Sequence, residues 1–226
     1  MVRKGNDWYK QKDMADKYDS YRFDRGGKVL DYKEKKMLLS LIKPEGKLIL
    51  DIATGTGRFA ELLESEGGKV IGLDASREML TPGNAEYLIG DALSLPFSDE
   101  VFDITISMRF LHLLKSDQID EFIEEVARVT KEKFVFETLH PLSLRLLYQW
   151  MLPQNSHMYS NSFLKEKFET LPSIKKAEYH ETFAIPYGIY QILPLNLAEE
   201  LSKLDEKMVE EYDWLASTVY WELYFE

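Results

Sequence analysis

The sequence predicts an α/β protein: a doubly wound, mostly parallel sheet with helices on both faces and a helical cap. Two observations carry this. Between residues 47 and 139, short runs rich in Ile, Val, Leu and Phe alternate with amphipathic stretches of helical period, the mark of βαβ crossovers in a sheet covered on both faces. The first run also opens into a glycine turn, Gly55 and Gly57, with a helical pattern directly behind it. Strand, tight turn and helix in that order form a ready nucleotide-binding unit.

Taken in order, Trp8 to Phe23 and Lys28 to Ile42 read as two helices ahead of the sheet. KLILDI (47–52) is the first strand, and Phe59, Leu62 and Leu63 give the following helix its apolar stripe. KVIGLD (69–74) is the second strand, and Ser76 is placed to cap a short helix, SREML, which Pro82 ends. AEYLIG (85–90) and VFDITISM (101–108) are the third and fourth strands. A helix from Ser116 to about Thr130 carries one stripe of Ile119, Phe122, Ile123, Val126 and Val129. Its first turn holds Asp117 and Asp120, which suit the helix dipole. KFVFETL (133–139) is the fifth strand, closed by Pro141.

Alternation then lapses. Residues 142–170 read as irregular helical material, and AEYHETFAI (177–185) as an extended run. A last helix is expected to bury Leu197, Leu201, Leu204, Met208, Tyr212 and Leu215, with Asn196 and Glu199 as its capping pair. TVYWELYF (218–225), aromatic and β-branched, closes the chain as a strand. With no repeat or linker, one domain is expected over 1–226: a cap (1–42), a core (43–139), a variable segment (140–195), then helix and strand (196–226).

Composition narrows the partners. The 226 residues carry 28 Lys and Arg against 39 Asp and Glu, a net charge of −11 that repels phosphate backbones and anionic lipid. Neither nucleic acid nor membrane is therefore expected as a partner, and nothing in the sequence sets the oligomeric state. Cysteine is absent, which excludes disulfides, thiolate zinc sites and a cysteine nucleophile. No apolar run approaches the roughly 20 residues of a membrane span, and the reading is a cytoplasmic protein. The four His show no metal-ligand spacing, so no metal is expected.

The glycine turn admits two ligands. Gly55, Gly57 and Ala60 satisfy a dinucleotide spacing, which makes a nicotinamide-dependent oxidoreductase one reading. Against it stand three carboxylates that converge on one edge of the sheet: Asp51 and Asp74 end the first two strands, and Asp91 follows the third. A pyrophosphate beside Asp51 would meet repulsion of about a few kcal/mol in a partly dry pocket. A cationic, phosphate-free adenosyl compound removes that conflict, and S-adenosylmethionine is one.

Four segments fix the matter further: ADKYDSYR (15–22), LDIATGTGRF (50–59), VIGLDAS (70–76) and GDALSLPFSDEVFDITIS (90–107). In this order and spacing the chain resembles the class I S-adenosylmethionine-dependent methyltransferases, in their small-molecule branch. The resemblance implies a Rossmann-like sheet of seven strands whose last strand is antiparallel and inserted beside its neighbours. It implies that Gly55 and Gly57 approach the methionine part, that Asp74 holds the ribose, and that Asp91 with Ala92 contacts the adenine. By the same resemblance Tyr18 and Arg22, four residues apart on one helical face, close over the cofactor carboxylate. Asp51, Ala53, Ala75 and Ser107 complete the expected cofactor contacts, although the family's turn usually has glycine at the place of Ala53.

The implied activity is methyl transfer to a nucleophilic atom of a small apolar or aromatic molecule, leaving S-adenosylhomocysteine. His112 and His140 follow the fourth and fifth strands and are the candidate general bases, in that order. A non-catalytic cofactor-binding protein of the same fold is the other alternative.

Overall fold

The structure, a computed structural model, describes residues 22–80, 85–141 and 157–225. Helix α1 (Gly27–Leu41) precedes the sheet. Then come β1 (Leu48–Ile52), α2 (Arg58–Ser65), β2 (Lys69–Asp74), β3 (Glu86–Ile89), β4 (Phe102–Ser107), α3 (Ser116–Val129) and β5 (Thr130–Leu139). The rest comprises α4 (Asn161–Glu169), β6 (Ile174–Thr182), α5 (Tyr187–Ile192), α6 (Leu195–Glu211) and β7 (Thr218–Phe225).

The seven strands lie in the order β3-β2-β1-β4-β5-β7-β6. β1, β2, β3, β4 and β5 are mutually parallel, while β7 runs antiparallel to both β5 and β6. The expected sheet of seven, with an inserted antiparallel last strand, is thus present. The order reverses at β1, so β2 and β4 flank it and their carboxyl ends open a crevice there.

The strands alternate their side chains between two cores. Leu50 and Ile52 join Phe102, Phe134, Phe136 and Trp221 on one face, where α3 contributes Phe122 and Ile123. Ile49 joins Val70, Ile104, Ile106 and Val135 on the other, against Leu38 of α1 and Phe59 and Leu63 of α2. All five residues of the predicted α3 stripe are fully buried. A third cluster joins α1 to α5 and α6 through Leu30, Phe183, Tyr187, Tyr190 and Ala198.

Several local expectations change. Strand β5 begins at Thr130, three residues early, because its hydroxyl pairs with buried Thr105 at 2.5 Å and Thr130 registers against Phe102. SREML forms a turn, not a helix, because Ser76 N–H donates 2.8 Å to Asp74 and the chain bends back. In α6 the buried line is Ala198, Ser202 and Asp205, while Leu197 and Leu204 are about half exposed. Small side chains win that face through close approach: a Cβ on Gly26 would stand 2.6 Å from Ala198 Cβ. Asp205 accepts Tyr190 O–H at 2.8 Å and Ile185 N–H at 2.7 Å, so a carboxylate takes the place a leucine was expected to hold. The helix starts after Pro194 without the Asn196–Glu199 cap. The expected helix over Trp8 to Phe23 and the segment 142–156 fall largely or wholly outside the described residues.

Candidate active site

A cavity of about 460 Å³ opens at the carboxyl ends of β1, β2 and β4, within the range of small-molecule and cofactor sites. β1 delivers Asp51 to its floor, 2 % exposed, where Thr54 O–H donates to the carboxylate at 2.7 Å. The turn that follows is held to β2 by two bonds. Thr54 N–H donates to Leu73 O at 3.1 Å, and Gly55 N–H donates to Asp74 at 2.9 Å. Asp74 therefore fastens the glycine turn while its carboxylate faces the cavity, its oxygens bonded to Gly55 and Ser76 with acceptor capacity to spare. Asp91 stands at the rim and accepts Leu93 N–H at 3.0 Å in an Asx turn.

The electrostatics select the charge of a ligand. Burial, helped by the nearby Asp74, pushes the Asp51 carboxyl up to about 7 against the Thr54 hydrogen bond and the Arg58 charge. Asp74 is itself raised by burial. Two desolvated carboxylates that already disfavour each other's charge repel a diphosphate and gain from a cation. A cationic nucleoside with a ribose fits the residues present.

Of the residues expected from the sequence, Asp51, Ala53, Gly55, Asp74, Ala75, Asp91 and Ala92 line this cavity. Gly57 stands behind the turn instead, where a Cβ would lie 1.9 Å from Tyr87 Oη, so its missing side chain makes room for that ring. Ser107 lies beneath the site, donating from its hydroxyl to Ile52 O at 3.0 Å. Ala53 adopts φ +58°, the left-handed region, which explains why glycine is usual there. Arg22 stacks toward Phe23 and is not in the cavity wall, and Tyr18 lies outside the described residues. His112 sits in a 3-10 turn (Leu111–Leu113) and its carbonyl accepts His157 N–H at 2.7 Å. His140 is half-buried after β5, its N–H donating to Ser217 O at 3.1 Å, and burial lowers its pKa. Neither ring is in the cavity wall.

Sequence reasoning missed other lining residues: Phe23, Met108, Phe110, Leu113 and Leu114, which are apolar, and Arg58 and Arg109, which are cationic. Arg109 follows β4 at φ +62°. A basic residue at a strand's carboxyl end was the one available signal. Among the described residues no group of three or more His, Asp or Glu could hold a metal ion, and no helix is long and apolar enough to cross a membrane.

The description "Methyltransferase domain" matches residues 49–133, the stretch from β1 into β5 that builds this cavity. The fold is that of the class I S-adenosylmethionine-dependent methyltransferases. A methyltransferase core of this kind from Thermotoga maritima, described as a SAM-dependent methyltransferase and possible histamine N-methyltransferase, superposes with TM-score 0.71 at 16% identity, over 97% of this chain and 99% of that one. A demethylmenaquinone methyltransferase of Thermobifida fusca is 34% identical over 140 residues, 53% of this chain and 57% of its own length. A tRNA (carboxymethyluridine(34)-5-O)-methyltransferase of Arabidopsis thaliana is 30% identical over 184 residues, 73% of this chain and 43% of its own. The matches thus span about half the length of these curated relatives. The resemblance read from the four sequence segments holds in the fold and in the matched methyltransferase domain.

Proposed function

We propose that the protein is an enzyme that moves a methyl group from S-adenosylmethionine to a nucleophilic atom of a small apolar or aromatic molecule. One observation carries the reading: a single cavity is lined both by the carboxylates Asp51, Asp74 and Asp91 and by the apolar side chains Phe23, Met108, Phe110 and Leu113. Asp74 would take the ribose hydroxyls, Asp91 the adenine, and Asp51 the positive charge of the amino-acid end. The chemistry supplied there by the bound cofactor is an electrophilic methyl.

The chain's own task is alignment. Holding an acceptor about 3 Å from the methyl in line removes several kcal/mol of entropic barrier, and the apolar wall keeps water from the nucleophile. His112 and His140 stay the candidate bases for an acceptor that carries a proton, but with neither ring in the cavity wall such an acceptor would have to extend past that wall to reach them. Burial lowers the pKa of His140, which favours the neutral form that accepts a proton. We place the activity in a single cytoplasmic domain, on the strength of the continuous, cysteine-free, acidic sequence.

A tRNA acceptor is the second reading, favoured by the Arabidopsis relative, which matches the larger share of this chain. The net charge of −11 opposes it. S-adenosylhomocysteine release, followed with a panel of quinols and phenols and in parallel with unmodified and carboxymethyluridine-bearing tRNA, separates the two. Turnover with the small aromatics alone supports the first reading. Turnover with tRNA alone replaces it, and tight S-adenosylhomocysteine binding with no turnover on any acceptor favours a non-catalytic protein.

A further inference from the structure

A carboxylate outside the sheet's alternating pattern governs both cavity arginines. Glu34 of α1 is completely buried, and each of its oxygens takes a different guanidinium: Arg58 Nη2 at 2.6 Å and Arg109 Nη1 at 3.0 Å. Arg58 is the first residue of α2, directly behind the glycine turn, and Arg109 leaves β4. One side chain therefore joins the two loops that bracket the site. We propose that Glu34 is a positioning residue: by holding Arg58 and Arg109 it fixes the cationic wall that receives the carboxylate of the donor's amino-acid end.

The inference rests on the reading of the cavity as an S-adenosylmethionine site. Arg58 has little freedom left. Its guanidinium lies over Phe23 at 4.2 Å and Phe59 at 4.1 Å, and Nη1 donates to Asp31 at 2.6 Å. Arg109 is packed over Tyr187 at 5.0 Å and comes within 4.0 Å of Glu137. Both arginines line the cavity together with Asp51, which feels the Arg58 charge, and no ion pair joins Asp51 to Arg58 among the described residues. The cavity thus holds a negative and a positive group that are not paired with each other among the described residues. An α-ammonium and an α-carboxylate on one carbon carry the complementary pair of charges. Removing the charge of Glu34 takes away the one carboxylate that Arg58 and Arg109 share, leaving Arg58 to Asp31 and Arg109 to the more distant Glu137, so the two guanidiniums are no longer tied to each other.

A general structural role and this one differ in what they spare. Calorimetric titration of wild type and Glu34→Gln with S-adenosylhomocysteine and with 5′-methylthioadenosine, which keeps the nucleoside and lacks the amino-acid end, distinguishes them. The expected result is about tenfold weaker binding of S-adenosylhomocysteine, the worth of one charged contact, with methylthioadenosine within about twofold of wild type. An equal loss for both ligands, or no loss for either, overturns the proposal. If Glu34→Gln does not fold, Arg58→Gln is titrated with the same two ligands and judged by the same contrast. Wild-type protein that binds neither ligand refutes the methyl-donor reading itself, and the inference with it.

Discussion

Gly57→Ala tests whether the second turn glycine serves the ligand or the fold. Gly57 has φ +81°, a conformation that costs an L-residue about 1–2 kcal/mol. The added Cβ would stand 1.9 Å from Tyr87 Oη and 2.8 Å from its Cζ. The ring cannot retreat easily, because its other flank lies on β2, where a Cβ at Gly72 would be 2.6 Å from Tyr87 Cδ1. Overpacking of that kind adds about 1–3 kcal/mol. The sum predicts a loss of about 2–5 kcal/mol, a large part of the stability of an ordinary domain. Urea unfolding followed by tryptophan fluorescence measures it. The Tyr87 hydroxyl is buried without a hydrogen-bond partner among the described residues, so Tyr87→Phe alone should be neutral or stabilising by up to about 1 kcal/mol. In the double variant the 1.9 Å contact is gone, and about 1 kcal/mol or more of the Gly57→Ala loss should return as coupling. A Gly57→Ala protein within about 0.5 kcal/mol of wild type, or a double variant with no coupling, refutes the argument.

Three further outcomes follow from the same geometry. Ala53→Gly relieves a left-handed alanine at φ +58°, worth about 1–2 kcal/mol less the 0.4–1 kcal/mol glycine costs in the unfolded chain, so thermal unfolding should rise by a few degrees at most and should not fall. Asp51, held near 7 by burial, binds its proton more tightly folded than unfolded, so its contribution to stability declines as pH rises from about 4 to 7 and is constant above. A cationic ligand needs it ionised, so S-adenosylmethionine affinity should strengthen about tenfold from pH 6 to 8 with proton release below 7, and Asp51→Asn should flatten that dependence in calorimetry. Asp205→Ala strips the partners from Ile185 N–H, Tyr190 O–H and Lys33. A loss of about 3–5 kcal/mol is expected, with hydrogen exchange accelerated in α5 and α6 before β1 and β4.

The amino-acid sequence by itself determined the sheet and one side of the site. Strands buried on both faces must be continuously apolar, and a parallel sheet must put its loops at one edge. Periodicity therefore located β1 to β5, the α3 stripe and the carboxylates Asp51, Asp74 and Asp91 that stand after the strands. Position along the chain was enough for these, since the fold places strand ends together.

Only the tertiary structure decided the remainder. That Tyr87 fills the space behind Gly57, so that the fold itself requires a glycine there, is something spacing cannot show. The buried line of α6 went to Ala198, Ser202 and Asp205, because close helix packing and three waiting donors outweighed the leucines, which are half exposed. Arg58 and Arg109 lie 24 and 75 residues along the chain from their common carboxylate, Glu34, and no local pattern links them. Such a contact costs loop-closure entropy that only the completed cores repay, so it exists in the fold and leaves no period in the sequence.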